Sequence, residues 1–309
     1  MKKPIGFIGA GTVGTALGAK LSEVGYPVAA VADVSREAAE RFATFIPEAR
    51  IFPSAQDLVD ATPFVFVTTP DDLISKVVAE ISWEDHHQVV HCSGAASLDV
   101  LEPARRSGAE VGSFHPCQSF ASVEQAIRNL PGTTFAIEAS SPLKETLARM
   151  AEDMGCSWIT LSPGDKALYH AAAVFASNYF VTVVGIAADL FGRFGIEPSR
   201  AIDVLMPLLE GTLRNIKNMG LPRCLTGPVA RGDLGTVKRH VEALRQRAPE
   251  FLRAYAELAL KAVPIAVAKG TLSERKARQL EEFLADVLSE KSWKGLCFSQ
   301  SKSTEGGAG

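Results

Sequence analysis

The sequence predicts an α/β protein in which a doubly wound domain precedes an all-helical domain. Short apolar runs alternate with amphipathic helical patterns through the first 160 residues, as in βαβ units. After residue 160 the strand patterns stop and only helical ones follow. The length of 309 residues also fits two domains at about 150 residues each.

The alternation in the first half predicts a parallel sheet. The run 64–68 (FVFVT) is apolar apart from its last residue, as is usual for a parallel strand buried on both faces. The predicted strands are 4–9, 28–32, 49–52, 64–68, 88–92, 110–114 and 134–138. The predicted helices between them are 12–24, 35–45, 71–81 and 98–107, with Ser35 as an N-cap.

The second half reads as helices only. Ser162 as N-cap, Pro163 in the first turn and Asp165 three residues after the cap predict a long helix that ends near Phe194. Further helices are predicted at 199–218, 233–247, 250–269 and 273–289. We therefore expect a doubly wound domain over 1–160, a helical substrate and dimerisation domain over 163–300, and a disordered tail over 301–309.

One apolar stretch, 171–191, is long enough to span a membrane. It carries one charge, Asp189, but Ser177, Asn178 and Thr182 interrupt it, and no basic flank or aromatic belt borders it. We predict a buried core helix or a dimer-interface helix. Membrane association is the weaker alternative.

Charge and cysteine content exclude several classes of function. The net charge of −3 gives no general attraction to nucleic acid or to an anionic membrane. The five cysteines are scattered without a CxxC pair, so neither a zinc ribbon nor a disulfide framework is expected. With no signal peptide visible, these features predict a cytoplasmic protein.

The first predicted strand runs into a GxGxxG turn formed by Gly9, Gly11 and Gly14, and a helix follows. Gly9 allows the tight turn, Gly11 lets the backbone approach a pyrophosphate, and Gly14 lets the helix pack on the strand. The helix start at Thr12 and Val13 presents backbone N–H groups to that anion. The pattern predicts a Rossmann-type dinucleotide site.

Asp33 ends the second strand, 19 residues after Gly14. There it is expected to accept hydrogen bonds from the ribose hydroxyls and to repel a 2′-phosphate, which favours NAD(H). Arg36 leaves NADP(H) possible. The alternative for Asp33 is a helix-capping role, for which Ser35 competes.

Two further turns follow strands at the edge where open α/β sheets bind ligands. Thr69 and Pro70 follow the run 64–68 and are expected to line the path to the nicotinamide. Ser93 follows 88–92 and is expected to contact ribose or substrate, with ordinary turn chemistry as an equal alternative.

Candidates for proton transfer lie at His115 and on the helix after residue 162. His115 follows 111–114, and histidine exchanges protons near neutral pH. Lys166 and His170 share a helix face, with Asn178 close to that face, and a lysine beside a ketone can donate a proton. A solvated Lys166 and a structural His115 are the alternatives. We expect no metal site at 91–117, because His91 and Cys92 point to opposite faces of a strand.

The loop 225–233 (LTGPVARGD) offers a hydroxyl at Thr226 and a carboxylate-binding guanidinium at Arg231. Asp233 is better explained as the N-cap of the next helix.

The segments GAGTVG, VVHCSGAASLDVL, GSFHPCQSF, DKALYHAAAVFASN and LTGPVARGD resemble a Rossmann-like oxidoreductase family whose C-terminal half is domain of unknown function 2520. That family is broadly similar to ketopantoate reductase, pyrroline-5-carboxylate reductase and deazaflavin-dependent NADP reductases. In those relatives the helical domain forms dimers and the substrate lies between domains.

The resemblance also bears on single residues. Lys166 and Asn178 look like the lysine and downstream asparagine of ketopantoate reductase, but His170 replaces an asparagine of that pattern. His115-Pro116 looks like the HP pair of prephenate dehydrogenases. Family members often read Ser-Arg where this chain has Asp33-Val34, a departure that supports NAD(H) or dual use.

The leading hypothesis is an NAD(P)-dependent reductase for a small 2-oxo carboxylic acid, with ketopantoate as the best single guess. In this hypothesis Lys166 protonates the alkoxide, His115 or His170 supports it, and Asn178, Thr226 and Arg231 hold the substrate. One alternative is an imine reductase or a prephenate-type dehydrogenase. Another is a dimer that binds NAD(H) as a redox sensor or scaffold without turnover.

Overall fold

The computed structural model describes residues 2–289. The predicted tail 301–309 and Cys297 lie outside the described residues. The described part divides into two compact units, the first ending at Tyr179 and the second beginning at Phe180. The predicted domain boundary near residue 160 coincides with the end of the sheet, but the first unit also includes the helix that follows.

The first unit is built on an eight-stranded sheet with the order β3-β2-β1-β4-β5-β6-β7-β8. The strands are β1 (Ile5–Ile8), β2 (Val28–Ala32), β3 (Arg50–Ile51), β4 (Phe64–Val67), β5 (Gln88–His91), β6 (Glu110–Pro116), β7 (Thr134–Ala139) and β8 (Ser157–Thr160). The first six follow the doubly wound order 3-2-1-4-5-6, which confirms the predicted fold class. The sheet is not wholly parallel, because β7 runs antiparallel to β6.

Helices connect the strands and make up the second unit. They are α1 (Thr12–Glu23), α2 (Arg36–Phe45), α3 (Ala55–Ala61), α4 (Asp71–Ala79), α5 (Glu102–Arg106), α6 (Val123–Asn129), α7 (Leu143–Asp153), α8 (Lys166–Ala176), α9 (Asn178–Gly192), α10 (Pro198–Met219), α11 (Pro228–Arg231), α12 (Leu234–Arg247), α13 (Pro249–Lys269) and α14 (Glu274–Ser289). A short 3-10 helix, Leu98–Leu101, precedes α5. The predicted caps Ser35 and Asp233 are confirmed, since each accepts a bond from a backbone N–H of the first turn.

Apolar side chains cover both faces of the sheet. On one face Phe114 stacks on Phe135 with ring centroids 4.0 Å apart, and Phe7 stacks on Phe66. On the other face Val65, Val67 and Val89 belong to a second buried cluster. Burial on both faces explains why the central strands read as nearly unbroken apolar runs.

Toward the carboxyl ends of β5 and β6, polar side chains replace apolar ones on the second face. His91, Ser113 and Glu138 are register partners on β5, β6 and β7, so their side chains lie side by side on one face. All three are buried. His115, two residues after Ser113, continues this polar row on the same face.

The long helix predicted from residue 163 to about 194 is wrong at its start and in its continuity. Gly164 has φ +93°, a left-handed conformation that a right-handed helix cannot include, and α8 begins only at Lys166. Ser162 does not cap it; its N–H donates to Asp165 Oδ2 instead. Ser177 separates α8 from α9.

The apolar segment of α8 and α9 is not a core helix. Over Lys166–Gly192, an 18-residue window has a mean hydropathy of 1.7, sufficient by length and composition to cross a membrane, yet only 6% of that window is buried. The prediction of a buried core helix is therefore wrong for the part of the chain that the structure describes. The alternative of a helix covered by a second copy stays a prediction.

The second unit has its own core. Val237 and Val241 of α12, Ala256 and Val263 of α13, and Leu280 of α14 are almost fully buried in one cluster. In contrast, α10 buries only Ala201 and Leu205 among its 22 residues. The core of this unit is therefore formed mainly by α12, α13 and α14, while most of α10 is not buried by the residues that the structure describes.

Candidate functional site at the carboxyl edge of the sheet

The glycine turn after β1 has the geometry that its spacing predicts. Gly9 has φ +102°, and a Cβ there would lie 2.7 Å from the carbonyl carbon of Thr68. A Cβ on Gly14 would lie 2.5 Å from Thr68 Oγ1, so α1 packs against the end of β4 only because residue 14 is glycine. At Gly11 nothing lies within 4 Å of such a Cβ, which leaves open space beside the start of α1.

Asp33 links the end of β2 to this turn. Its Oδ2 accepts a bond of 2.7 Å from the Ala10 N–H, and its Oδ1 accepts one of 2.8 Å from the Ser35 N–H. The N-cap of α2 is Ser35, so the capping alternative for Asp33 is not needed. Each carboxylate oxygen keeps a lone pair for a further donor, such as a ribose hydroxyl.

The two other predicted turns differ in how their hydroxyls are used. Thr69 lies next to Gly9, and its Oγ1 is buried without a hydrogen-bond partner among the described residues. Such a group is suited to a hydrogen bond with a bound ligand. Pro70 is the N-cap residue of α4. Ser93 Oγ instead donates to Asp71 Oδ2 at 2.6 Å and accepts from the N–H groups of two following residues, which is turn chemistry.

His115 lies inside β6 rather than after it, and α8 brings two aromatic rings against it. Its Nδ1 is 2.7 Å from the Tyr169 hydroxyl, and its ring is edge-on to His170 at 6.4 Å between centroids. All three side chains are partly exposed. Gly94 makes room for them, since a Cβ there would lie 2.6 Å from His170 and 2.7 Å from His115.

Lys166 lies beneath this cluster and is only 2% exposed. Its Nζ donates a 2.6 Å bond to Ser113 Oγ in the polar row. Burial lowers the pKa of Lys166 to about 8, while interaction with the acidic groups of Glu138, Cys92 and Asp71 acts in the opposite direction. Lys166 is therefore an ammonium through most of the neutral range.

The buried ammonium changes the titration of its neighbours. Burial, followed by the charges of Lys166 and His170, lowers the pKa of His115 to about 4, so the ring is neutral near pH 7. Burial and the same ammonium lower the pKa of His91 to about 3. Burial raises the pKa of Glu138, whose Oε2 has no hydrogen-bond partner among the described residues.

The remaining predicted residues are on other elements of the chain. Asn178 is exposed at the start of α9, and Thr226 and Arg231 are exposed in the second unit. Their role in substrate binding stays a prediction. In residues 2–289 no group of three or more His, Cys, Asp and Glu is placed to hold a metal ion.

Sequence reasoning missed Ser113, Glu138, Gly94 and Tyr169. Ser113 lies two residues before His115, and this period-2 spacing was a signal that both share a face of the strand. Tyr169 lies three residues after Lys166, the spacing of neighbours on a helix. No local signal pointed to Glu138, because its place beside Ser113 depends on strand pairing.

A separate cleft of about 660 Å³ opens at the amino edge of the sheet, with Lys2, Tyr26 and Gln88 in its lining. These residues precede or begin their strands. Ligands of open α/β sheets bind at the carboxyl ends, where the glycine turn and His115 lie. The candidate site is therefore assigned to the carboxyl edge.

The strand order, the glycine turn and the helical second unit define a two-unit protein with a Rossmann-like first domain. The family comparison agrees: residues 1–116 match a Rossmann-like domain, and residues 133–262 match the domain of unknown function DUF2520. The chain combines these two domains, which confirms the resemblance found in the sequence. No curated protein sequence matches the chain.

Solved structures share the fold over most of the chain. Protein TM1727 from Thermotoga maritima is 25% identical, with 86% of this chain and 99% of that chain covered and a TM-score of 0.66. A Bacteroides fragilis protein thought to be an NADP oxidoreductase is 24% identical, covering 85% and 98%, with a TM-score of 0.65. Pyrroline-5-carboxylate reductase from Streptococcus pyogenes is 17% identical, covering 87% and 99%, with a TM-score of 0.58.

The glycine turn leads to a prediction that separates folding from ligand binding. Gly14→Ala is expected to lower the melting temperature, because its Cβ would meet Thr68 Oγ1 and the Gly9 carbonyl. Gly11→Ala is expected to melt like the wild type but to bind NADH at least about tenfold more weakly, a loss of about 1.4 kcal/mol. Thermal melts and NADH fluorescence titrations measure the two effects. Unchanged NADH affinity in Gly11→Ala would contradict a pyrophosphate site at this turn.

Proposed function

We propose that the protein is an NAD(P)-dependent oxidoreductase that reduces a small 2-oxo acid. The observation that carries the proposal is the position of two features at one edge of the sheet. The glycine turn, with its open space at Gly11, follows β1, and the hydrogen-bonded His115 and Tyr169 lie at the end of β6. A carbonyl reductase requires at least a dinucleotide site with groups that exchange protons beside it.

In this proposal the chain holds the dinucleotide with few residues. The turn at Gly11, with Thr12 and Val13 at the start of α1, receives the pyrophosphate. Asp33 receives the ribose hydroxyls, and Thr69 Oγ1 gains its missing partner. When bound, the reduced nicotinamide supplies hydride.

The predicted residues proposed to support this chemistry are Lys166, His115 and His170. The Lys166 ammonium places a positive charge next to the cluster, where it stabilises negative charge that develops on a substrate oxygen. His115 is neutral and able to accept or donate a hydrogen bond near pH 7. Arg231, Thr226 and Asn178 are proposed to hold the carboxylic acid, with ketopantoate as the first substrate to test.

The main alternative is reduction of a C=N bond. The fold shared with a pyrroline-5-carboxylate reductase supports it. A prephenate-type oxidation, or NAD(H) binding without turnover as a redox sensor, are the remaining alternatives. Each has a distinct outcome in a substrate assay.

A substrate panel tests the activity together with Lys166. NADH consumption is expected with at least one 2-oxo acid when ketopantoate, other 2-oxo acids and pyrroline-5-carboxylate are compared. Lys166→Met is expected to lower kcat by about 10²- to 10⁴-fold, because the charge is lost. Its stability is expected to be unchanged or higher, because a buried ammonium is replaced by an apolar side chain of similar size.

Lys76→Met is the matched control, since Lys76 is exposed on α4. Unchanged turnover in Lys166→Met would remove Lys166 from the proposed mechanism. Consumption with the imine alone would favour the C=N alternative. NADH binding without consumption of any substrate would favour the sensor.

We propose that NADH is preferred over NADPH. The Asp33 carboxylate would repel a 2′-phosphate. Arg36, the nearest cation after β2, has an 89% exposed side chain that pairs with Glu40. In the wild type the dissociation constant for NADPH is expected to exceed that for NADH. Asp33→Asn is expected to lower this NADPH-to-NADH ratio by about tenfold. Glu37→Gln, an exposed acid nearby, serves as the control, and tighter NADPH binding by the wild type would contradict the preference.

We also propose a cytoplasmic homodimer formed through the C-terminal helices. In the second unit Val181 of α9 and Val204, Leu208 and Leu213 of α10 are 69%, 48%, 66% and 53% exposed. Large apolar side chains exposed on two consecutive helices favour an interaction site there. A second copy explains it without a membrane.

Light scattering after gel filtration is expected to give twice the chain mass of 33.0 kDa. Leu208→Glu is expected to shift the protein toward monomer, because a carboxylate would be buried in the interface. Leu258→Glu is the control, since Leu258 is 52% exposed on α13, outside these two helices. A wild-type monomer that sediments with lipid vesicles would contradict the dimer and favour membrane association.

A further inference from the structure

Two groups on α8 compete for the role of proton donor in the proposed reaction. Lys166 and Tyr169 are three residues apart, so both lie on the face of the helix that packs on the sheet. Their exposure differs: the Lys166 side chain is 2% exposed, whereas Tyr169 is partly exposed beside His115. The helix therefore presents a hydroxyl at the rim of the site and an ammonium below it.

A hydrogen bond to β6 fixes the position of the Lys166 ammonium. Its Nζ donates to Ser113 Oγ at 2.6 Å, in the row that also contains Glu138 and His91. Because Lys166 is only 2% exposed, a substrate at the rim meets this ammonium only if the lysine side chain moves outward. The Tyr169 side chain needs no such movement, because it is partly exposed with its oxygen 2.7 Å from His115 Nδ1.

We propose that the Tyr169 hydroxyl, held by His115, is the proton donor of the site, and that Lys166 is a positioning residue that acts through its charge. This inference rests on the proposed reductase function. It applies equally to a carbonyl oxygen and to an imine nitrogen, because each becomes the base when its carbon accepts hydride.

The step balances in atoms and charge. When the carbonyl carbon accepts hydride, the electron pair of the C=O π bond moves to the oxygen. That oxygen forms a bond to the Tyr169 hydroxyl proton, and the O–H bond of Tyr169 breaks. The resulting tyrosinate regains its proton from solvent, which reaches the partly exposed side chain, while the Nδ1–H of neutral His115 donates a hydrogen bond that stabilises the negative oxygen. The net change is addition of one hydride and one solvent proton to the substrate.

Burial and the groups around the pair keep it in the required state. Burial first, and then Lys166 and His170 on α8, lower the pKa of His115 to about 4, so the ring is neutral at pH 7. Tyr169 faces Cys117 as well as His115, and burial together with Cys117 raises the pKa of its phenol. The phenol therefore keeps its proton at neutral pH, as a donor must.

Gly94 supplies the space that this pair needs. A Cβ at residue 94 would come within 2.7 Å of His115 Nε2 and 2.6 Å of His170 Cδ2. Any larger residue would push the His115 ring away from its place between Gly94 and Tyr169. The turn after β5 thus fixes the ring from the side opposite to the hydroxyl.

The chain contains a matched control for the test. In the second unit the Tyr255 hydroxyl is 2.9 Å from His240 Nδ1, with the rings edge-on, as in the pair at the site. Tyr255→Phe therefore removes the same kind of hydrogen bond far along the chain. Tyr169→Phe and Tyr255→Phe are compared with the wild type, using the best substrate of the panel.

Tyr169→Phe is expected to lower kcat by about 10²- to 10⁴-fold while KM and the NADH dissociation constant change by less than about threefold. Tyr255→Phe is expected to keep the wild-type kcat. The second readout needs no turnover: the ¹⁵N NMR shifts of the His115 ring in the free protein. Tyr169→Phe is expected to move these shifts and Tyr255→Phe to leave them unchanged, with a neutral His115 ring throughout the neutral range.

The outcomes separate this inference from the proposed function. Turnover by the wild type together with full kcat in Tyr169→Phe would overturn the donor assignment and leave the reductase intact. A charged His115 ring at neutral pH, or ring shifts that ignore Tyr169→Phe, would overturn it as well. Absence of reduction of any substrate by the wild type would overturn the proposed function, and the donor role with it.

Discussion

The hydrogen bond from the buried Lys166 ammonium to Ser113 Oγ is the interaction on which the candidate site depends. It connects the first turn of α8 to the middle of β6 and so sets where Tyr169 and His170 contact His115. Burying the ammonium, however, costs free energy of folding. A pKa lowered from 10.5 to about 8 corresponds to roughly 3 kcal/mol against the charged form.

The sign of that cost follows from the direction of the shift. Because the folded-state pKa is the lower one, the folded protein is penalised in full below about pH 8, where Lys166 is charged in both states. The penalty disappears as the pH rises through the unfolded value of 10.5. Near neutral pH the fold thus retains a charge that an apolar residue would replace at lower cost, and its position beside His115 gives that charge a chemical use.

How much could be predicted from the sequence depended on how local each interaction is. The cap at Ser35 rests on contacts within a few residues, so its pattern was sufficient. Gly9 and Gly14 make close contacts with Thr68, which is distant in sequence, but the GxGxxG spacing after a strand was a sufficient signal for the turn. The start of α8 was misplaced because the left-handed Gly164 leaves no mark in the residue pattern beyond being glycine. Glu138 lies beside Ser113 only because β7 pairs antiparallel with β6. No spacing of residues in the sequence predicts that pairing. The apolar run through α9 was equally ambiguous, because a core helix, an interface helix and a membrane helix share one composition.

In the proposed mechanism Lys166 supplies a positive charge and Tyr169 supplies the direct contact with the substrate, so both residues are needed. A buried ammonium acts on a nearby oxygen through a medium that screens much less than water, so it stabilises negative charge without touching it. Direct contact by the same ammonium would require the buried lysine side chain to move toward the rim. A neutral phenol at the rim can transfer a proton without that movement, and the neutral His115 beside it can stabilise the tyrosinate by a hydrogen bond until solvent returns the proton. Each group does what its burial permits, and the glycine at residue 94 keeps the histidine within reach of the phenol.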